Sequence, residues 1–225
     1  MLKAIIFDMD GLMVDTEPLS RQAWDSVLGR FGYALTDEVY LKMIGRRSDE
    51  SSQIAWSAYK LPITAEELLG RKTAVFQTRL EQGIPVMSGL MPLQAEVARR
   101  QIPWAVATSS PYHHAETILS QLGLADACHA IAAGNEVVHG KPAPDIYLLA
   151  AQRLGVASEE CLALEDSIPG SQAAVAAGMV TVAVPNSDTQ SNAFAHTHYV
   201  LPSLHAILSQ LDELLTHREQ DSDTR

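Results

Sequence analysis

The feature that most constrains this chain is an alternation of two textures. Short apolar runs rich in Val, Ile and Ala occur at Lys3–Asp8, Ile102–Ser109, Cys161–Asp166 and Val180–Pro185. Between them lie amphipathic stretches at Tyr112–Leu122, Asp145–Leu154 and Ser171–Ala177. A strand without a polar face needs cover on both sides, and a helical crossover brings the next strand back parallel to the last. The expected core is therefore α/β, a doubly wound parallel sheet of Rossmann-like layering.

The stretch from Glu17 to Gly83 breaks that rhythm. It holds four helical patterns, Ser20–Phe31, Asp37–Ile44, Glu50–Leu61 and Ala65–Gln82, and no strand pattern. Thr64 with Glu67 marks a capping box at the start of the last one. This predicts a four-helix cap domain over residues 17–83, inserted into an α/β catalytic core formed by residues 1–16 and 84–225. The polar tail Arg218–Arg225 is expected to fray.

Composition excludes several classes of function. Of 225 residues, 47% are apolar, enough for a sizeable core, while 27 acidic against 16 basic residues give a formal charge of −11. Non-specific nucleic-acid binding and attachment to anionic membranes both need cationic surface, so neither partner is expected. Two cysteines, Cys128 and Cys161, argue against a disulfide framework and for a reducing cytoplasm. No apolar run approaches the ~18 residues of a membrane span, and the few apolar residues between Lys3 and Asp8 do not make a signal peptide. A globular cytoplasmic chain without an obligate protein partner is the expectation.

In an open parallel sheet, ligands bind at the carboxyl ends of the strands. The first strand ends in Asp8-Met9-Asp10-Gly11, the second in Thr108-Ser109-Ser110, and the Cys161 strand in Glu165-Asp166-Ser167. Lys141-Pro142-Ala143-Pro144-Asp145 precedes a helix. Taken singly these read as a turn, an N-cap cluster, a strand end and a rigid loop; converging, they make one pocket of carboxylates, hydroxyls and a lysine. Several carboxylates in a confined site stay ionised only beside a cation. Oxygen donors without His or Cys suit Mg²⁺, which keeps waters and shares its shell with substrate phosphate. The lysine and hydroxyls are donors for the remaining phosphate oxygens. Two aspartates separated by one residue leave a strand in different roles, one able to point at phosphorus and the other, beyond the turn, at the leaving group, as a nucleophile and a general acid/base require.

The set Asp8-Met9-Asp10-Gly11, Thr108-Ser109, Lys141-Pro142 and Glu165-Asp166 resembles the four motifs of the haloacid dehalogenase superfamily. The helical block resembles that superfamily's small cap. The wording Gly-Lys-Pro-Ala-Pro-Asp-Ile-Tyr and Leu-Glu-Asp-Ser is similar to the β-phosphoglucomutase-like group of sugar phosphatases and phosphomutases. The resemblance implies Asp8 as the nucleophile that forms a phospho-aspartate. Asp10 would protonate the leaving oxygen and then activate water, and its carbonyl would join Asp8, Glu165 and Asp166 around Mg²⁺. Thr108, with the backbone N–H of Ser109, would hold phosphate oxygens, and Lys141 would bridge nucleophile and phosphoryl group. An aspartate at position 10 favours phosphate esters over carbon–halogen or carbon–phosphorus bonds.

Phosphoglucomutases of this group carry a cap histidine after the Asp-Thr pair and a lysine beside a cap-loop glycine. Here Ser20 and Ile44, next to Gly45, stand at the matching positions, which favours a phosphatase acting on a small phosphorylated metabolite such as a sugar phosphate. A sugar phosphomutase and a non-catalytic regulatory relative are the alternatives. Arg46 and Arg47 are candidates for contacting the rest of the substrate. His113, His114, His196, His198, Trp24 and both cysteines are expected to serve structure, and adjacent His113 and His114 face different directions on a helix.

Overall fold

A computed structural model describes residues 1–185 and 191–217; the expected fraying of the tail concerns residues outside these. Six parallel strands form one sheet in the order β3-β2-β1-β4-β5-β6: β1 (Ala4–Phe7), β2 (Trp104–Thr108), β3 (Ala130–Ala133), β4 (Cys161–Glu165), β5 (Val180–Ala183) and β6 (Tyr199–Val200). The order reverses beside β1, and Asp8 N–H still bonds Leu164 O at 2.9 Å, one step past the β1–β4 ladder.

All four β1 residues are buried because both faces of the sheet are covered. Ile5 and Phe7 point to a cluster with α5 (Leu90–Arg99), α6 (Tyr112–Gln121), α9 (Leu204–Ser209) and α10 (Leu211–Leu215). Ala4 and Ile6 point to the other side, against α7 (Asp145–Leu154) and α8 (Ile168–Ala176). The small residues on that second face, Ala105, Ala107 and Ala163, let those two helices approach the strands closely.

Residues following β1 form α1 (Glu17–Leu28), α2 (Asp37–Leu41), α3 (Ser48–Tyr59) and α4 (Ala65–Leu80). Thr64 Oγ1 accepts from Glu67 N–H at 3.1 Å, the cap its sequence predicted. These helices surround an apolar cluster of their own, which includes Trp24, Leu28, Met43 and Leu68. The two connecting segments run side by side: Asp15 N–H bonds Pro85 O at 2.8 Å and Met87 N–H bonds Met13 O at 3.0 Å. Among the described residues no helix is long and apolar enough to cross a membrane.

Four strands are legible as apolar runs; β3 and β6 are not. β3 is Ala-Ile-Ala-Ala, half of it only partly buried, and β6 has two residues. Neither carries the β-branched density that marks a strand. Helix α8 starts at Ile168 rather than at Ser171, because Ser167 caps it by accepting from Gly170 N–H at 3.1 Å.

Candidate active site

The ends of β1, β2 and β4 and the loop before α7 meet at one edge of the sheet. Lys141, fully enclosed, donates to Asp8 Oδ1 at 2.5 Å, Glu165 Oε1 at 2.6 Å and Ala107 O at 3.1 Å. Glu165 is the most saturated group in the cluster. Its Oε1 also accepts from Tyr147 Oη at 2.9 Å, and its Oε2 accepts from Asp166 N–H and Ser167 N–H at 3.0 Å and Ser167 Oγ at 2.9 Å. A Cβ on Gly170 would lie 1.6 Å from Glu165 Oε1, so the first turn of α8 admits the carboxylate only where a side chain is missing.

Burial sets the electrostatics. It pushes the Asp8 carboxyl well above the usual range; Lys141 pulls it back, and Glu165 and Asp10 push it further up. Asp166 is raised in the same sense, by burial and then by Asp8 and Glu165. Burial works against the Lys141 ammonium, but Asp8 and Glu165 outweigh it and hold its pKa above that of an ordinary lysine. The Tyr147 hydroxyl is raised by burial and by Glu165, so it remains a donor. The cluster is short of positive charge, with Lys141 facing three buried carboxyls.

Asp8, Glu165 and Asp166 each bring a carboxylate oxygen within 4.8 Å of the others. Gly11, at φ +91°, turns the backbone around this cluster; a Cβ there would sit 2.1 Å from Asp166 Oδ2. The space between turn and carboxylates is thus kept open by a residue without a side chain.

Asp10 is held apart from Asp8 by three hydroxyls. Thr16 Oγ1 donates to Oδ1 at 2.6 Å, while Thr108 Oγ1 and Ser110 Oγ donate to Oδ2 at 3.0 and 2.8 Å. Thr108 is completely buried, and its hydroxyl also accepts from Ser110 N–H at 3.0 Å. Its hydroxyl therefore orients Asp10, whereas Ser109 and Ser110 border the adjoining cavity.

That cavity, of about 120 Å³, lies between the strand ends and helices α1–α4, with Asp8, Asp10, Lys141 and Asp166 in its floor. Ser20 and Ile44 both line it, as does Arg46. Arg47 turns elsewhere. Its Nη1 donates to Val137 O and Val138 O at 3.2 and 3.1 Å, and its other nitrogens hold Asp49 at 3.0 and 2.8 Å. With Ser109 Oγ donating to Gly45 O at 3.1 Å, this loop is fastened to the strand-end face.

Three residues escape sequence reasoning, Lys72 and His114 in the cavity wall and Tyr147 buried beside Glu165. Lys72 is buried between Trp24 and Phe76, its Nζ 5.7 and 4.2 Å from their ring centres. Desolvation lowers its pKa to about 8, and among the described residues it has no carboxylate within ion-pair distance. The signal was available: Leu68, Lys72, Phe76 and Leu80 form one buried i, i+4 stripe, with a charge in it. His114 also lines the cavity instead of serving only as packing. Tyr147 closes the motif Gly-Lys-Pro-Ala-Pro-Asp-Ile-Tyr, but nothing in sequence says that its hydroxyl meets Glu165. Trp24 both packs the helical cluster and faces the cavity. His196 bonds Ser171 Oγ at 3.0 Å, and His198 Nδ1 accepts from Thr181 N–H at 3.1 Å, both away from the site.

A doubly wound sheet with aspartates, a buried lysine and a carboxylate pair at its strand ends defines a hydrolase class, and the chain belongs to it: it is a haloacid dehalogenase-like hydrolase, matched over residues 2–178. It is 36% identical over 180 residues to the fructose-1-phosphate phosphatase YqaB of Escherichia coli (strain K12), covering 80% of this chain and 95% of that protein. It is 34% identical over 182 residues to the phosphorylated carbohydrates phosphatase of Thermotoga maritima, covering 79% and 82%. Among solved structures, CbbY from Rhodobacter sphaeroides in complex with xylulose-(1,5)bisphosphate superposes with a TM-score of 0.82 at 31% identity, over 91% of this chain and 95% of that one.

Proposed function

We propose that this enzyme is a Mg²⁺-dependent phosphatase that hydrolyses a small sugar phosphate through a phosphorylated Asp8. The observation that carries the reading is the pairing of Lys141 with Asp8 at 2.5 Å in the floor of a cavity that also holds Asp10. The relatives named for phosphorylated sugars support the substrate class. Ser20 and Ile44 in the cavity wall support a phosphatase over a phosphomutase.

The donor set fits a hard divalent cation. Asp8 and Asp166 would hold it, with the Asp10 carbonyl, because buried carboxyls whose pKa values are raised need positive charge to ionise. Both Glu165 oxygens already accept from protein donors, so Glu165 orients Lys141 and the Asp166 turn and would reach the ion through water. When bound, the ion supplies charge that draws phosphate and carboxylates together.

The chain's own groups do the rest. Asp8 Oδ attacks phosphorus, the ester P–O bond breaks, and the departing oxygen takes a proton from Asp10. Asp10, now a carboxylate, accepts a proton from water as the water oxygen attacks phosphorus, and cleavage of the acyl phosphate returns Asp8. Thr16, Thr108 and Ser110 keep Asp10 aimed, while the Lys141 charge and the backbone N–H of Ser109 would serve the phosphoryl oxygens. Residues 17–83 act as the cap that covers the reacting centre, and Arg46 borders the leaving-group side.

A panel of sugar phosphates assayed for free phosphate with Mg²⁺ and with EDTA tests this. Metal-dependent release from at least one ester is expected. Interconversion of sugar 1- and 6-phosphates without phosphate release would replace the phosphatase reading with a mutase, and binding without turnover would replace it with a regulatory protein.

A further inference from the structure

The mechanism leaves a buried polar atom of the cavity unused. His114, only 4% exposed, sits on α6 and borders the same space as Asp10 and Lys141, yet its Nε2 has no hydrogen-bond partner. A buried unsatisfied ring nitrogen costs free energy, so its persistence in a wall that faces a ligand points to a ligand atom as its partner. Its surroundings narrow the chemistry. The imidazole ring lies 5.5 Å from Phe76, whose face also carries the Lys72 ammonium at 4.2 Å. His113, its ring centre 4.2 Å away and its plane tilted by 60°, completes the local group. Burial, then His113 and Lys72, hold the imidazole pKa down to about 4 against the pull of Asp10, so the ring is neutral near pH 7. A neutral ring nitrogen pairs best with a group that both donates and accepts, which is a hydroxyl. An anionic partner would turn to Lys72 instead.

We propose that His114 is a specificity-determining residue of this site, its Nε2 hydrogen-bonding a hydroxyl of the leaving group, so that the enzyme selects phosphate esters of polyhydroxylated alcohols over esters of aromatic or simple alkyl alcohols. The proposal rests on the phosphatase reading and extends it to the other end of the substrate. A site built to bond a hydroxyl rejects an analogue that lacks one, because its own polar atom is then left unpaired.

The test compares hexose and hexitol phosphates with p-nitrophenyl phosphate, in the Mg²⁺-loaded enzyme and its variants. In His114→Phe, KM for the polyol esters is expected to rise about ten-fold or more, with kcat/KM for p-nitrophenyl phosphate kept within about two-fold. His114→Gln, which returns a polar atom, is expected to recover part of the lost discrimination. Equal losses on both kinds of ester, or an unchanged KM for the polyol esters, overturns the proposal. Should His114→Phe fail to fold by thermal melting, the same ratio read in His114→Ala decides. Failure of the underlying reading looks different: wild type then releases phosphate from neither ester, and the role of His114 falls with it.

Discussion

Replacing Glu165 by Gln separates its role as the organiser of the buried cluster from a role as an ion ligand. Five donors converge on this side chain: Lys141 Nζ, Tyr147 Oη, the Asp166 and Ser167 amides and Ser167 Oγ. A glutamine offers one carbonyl oxygen, so whichever way its amide turns, its NH₂ faces either the Lys141–Tyr147 pair or the two amides and the serine. Hydrogen bonds to charged groups contribute about 1.5–3 kcal/mol each, and breaking a buried ion pair by removing one partner costs about 3–5 kcal/mol. Relief of the repulsion that Glu165 exerts on Asp8 and Asp166 offsets part of the loss. A net destabilisation of about 3–5 kcal/mol follows, and at about 2–4 °C per kcal/mol for a chain of this size the melting temperature falls by roughly 6–20 °C. Thermal and urea unfolding in EDTA are the assays, since without metal only the protein–protein bonds are in play. A variant that melts within about 2 °C of wild type in EDTA, but no longer gains stability from Mg²⁺, would refute the reasoning and make Glu165 a direct ligand.

Asp8→Asn is expected to lower kcat by at least about 10³-fold, measured as phosphate release, with the fold kept. Lys141 keeps Glu165 and Ala107 O as available partners, 2.6 and 3.1 Å away in the wild type, so wild-type-like turnover would overturn the nucleophile assignment. Gly11→Ala combines a strained φ of +91° with a Cβ placed 2.1 Å from Asp166 Oδ2. The Mg²⁺ concentration for half-maximal activity should rise about ten-fold or more, and an unchanged Mg²⁺ titration would show that Asp166 does not need that space. The folded-state pKa of His114 is depressed to about 4, so its contribution to stability is complete above about pH 6.5 and is lost as pH falls toward 4. Urea midpoints of wild type should therefore drop relative to His114→Phe across that window and run parallel above it; parallel curves throughout would mean that the imidazole titrates normally.

The parts of the site that lie on a single strand end were legible in the sequence. Asp8-Met9-Asp10 and Glu165-Asp166 follow apolar runs whose burial on both faces fixes where each strand stops. Directions of side chains were not legible. Thr108, with the backbone N–H of Ser109, reads as a phosphate donor, yet the strand's alternation buries Thr108 against Asp10 and leaves Ser109 on the cavity. Arg46 and Arg47 read as a pair, but neighbouring residues diverge, and Arg47 binds the carbonyls of Val137 and Val138. Lys72, His114 and Tyr147 acquire their partners through tertiary packing between helices and strand ends, which no local pattern encodes. The same holds for β3, whose alanines become a strand only by pairing with β2.

The position of β1 between β2 and β4 has a consequence for how the enzyme is born. The segment carrying Asp8 is synthesised before its flanking strands, its lysine and the glutamate that steadies that lysine, which emerge far later. Contacts between such distant segments form late, after the intervening loops have been ordered. A nascent chain therefore carries Asp8 without its counter-charge until Lys141 has left the ribosome, and without the glutamate that holds Lys141 until β4 follows. Recovery of phosphate release during refolding should coincide with closure of the β1–β4 ladder, which makes turnover a clock for the last stage of assembly.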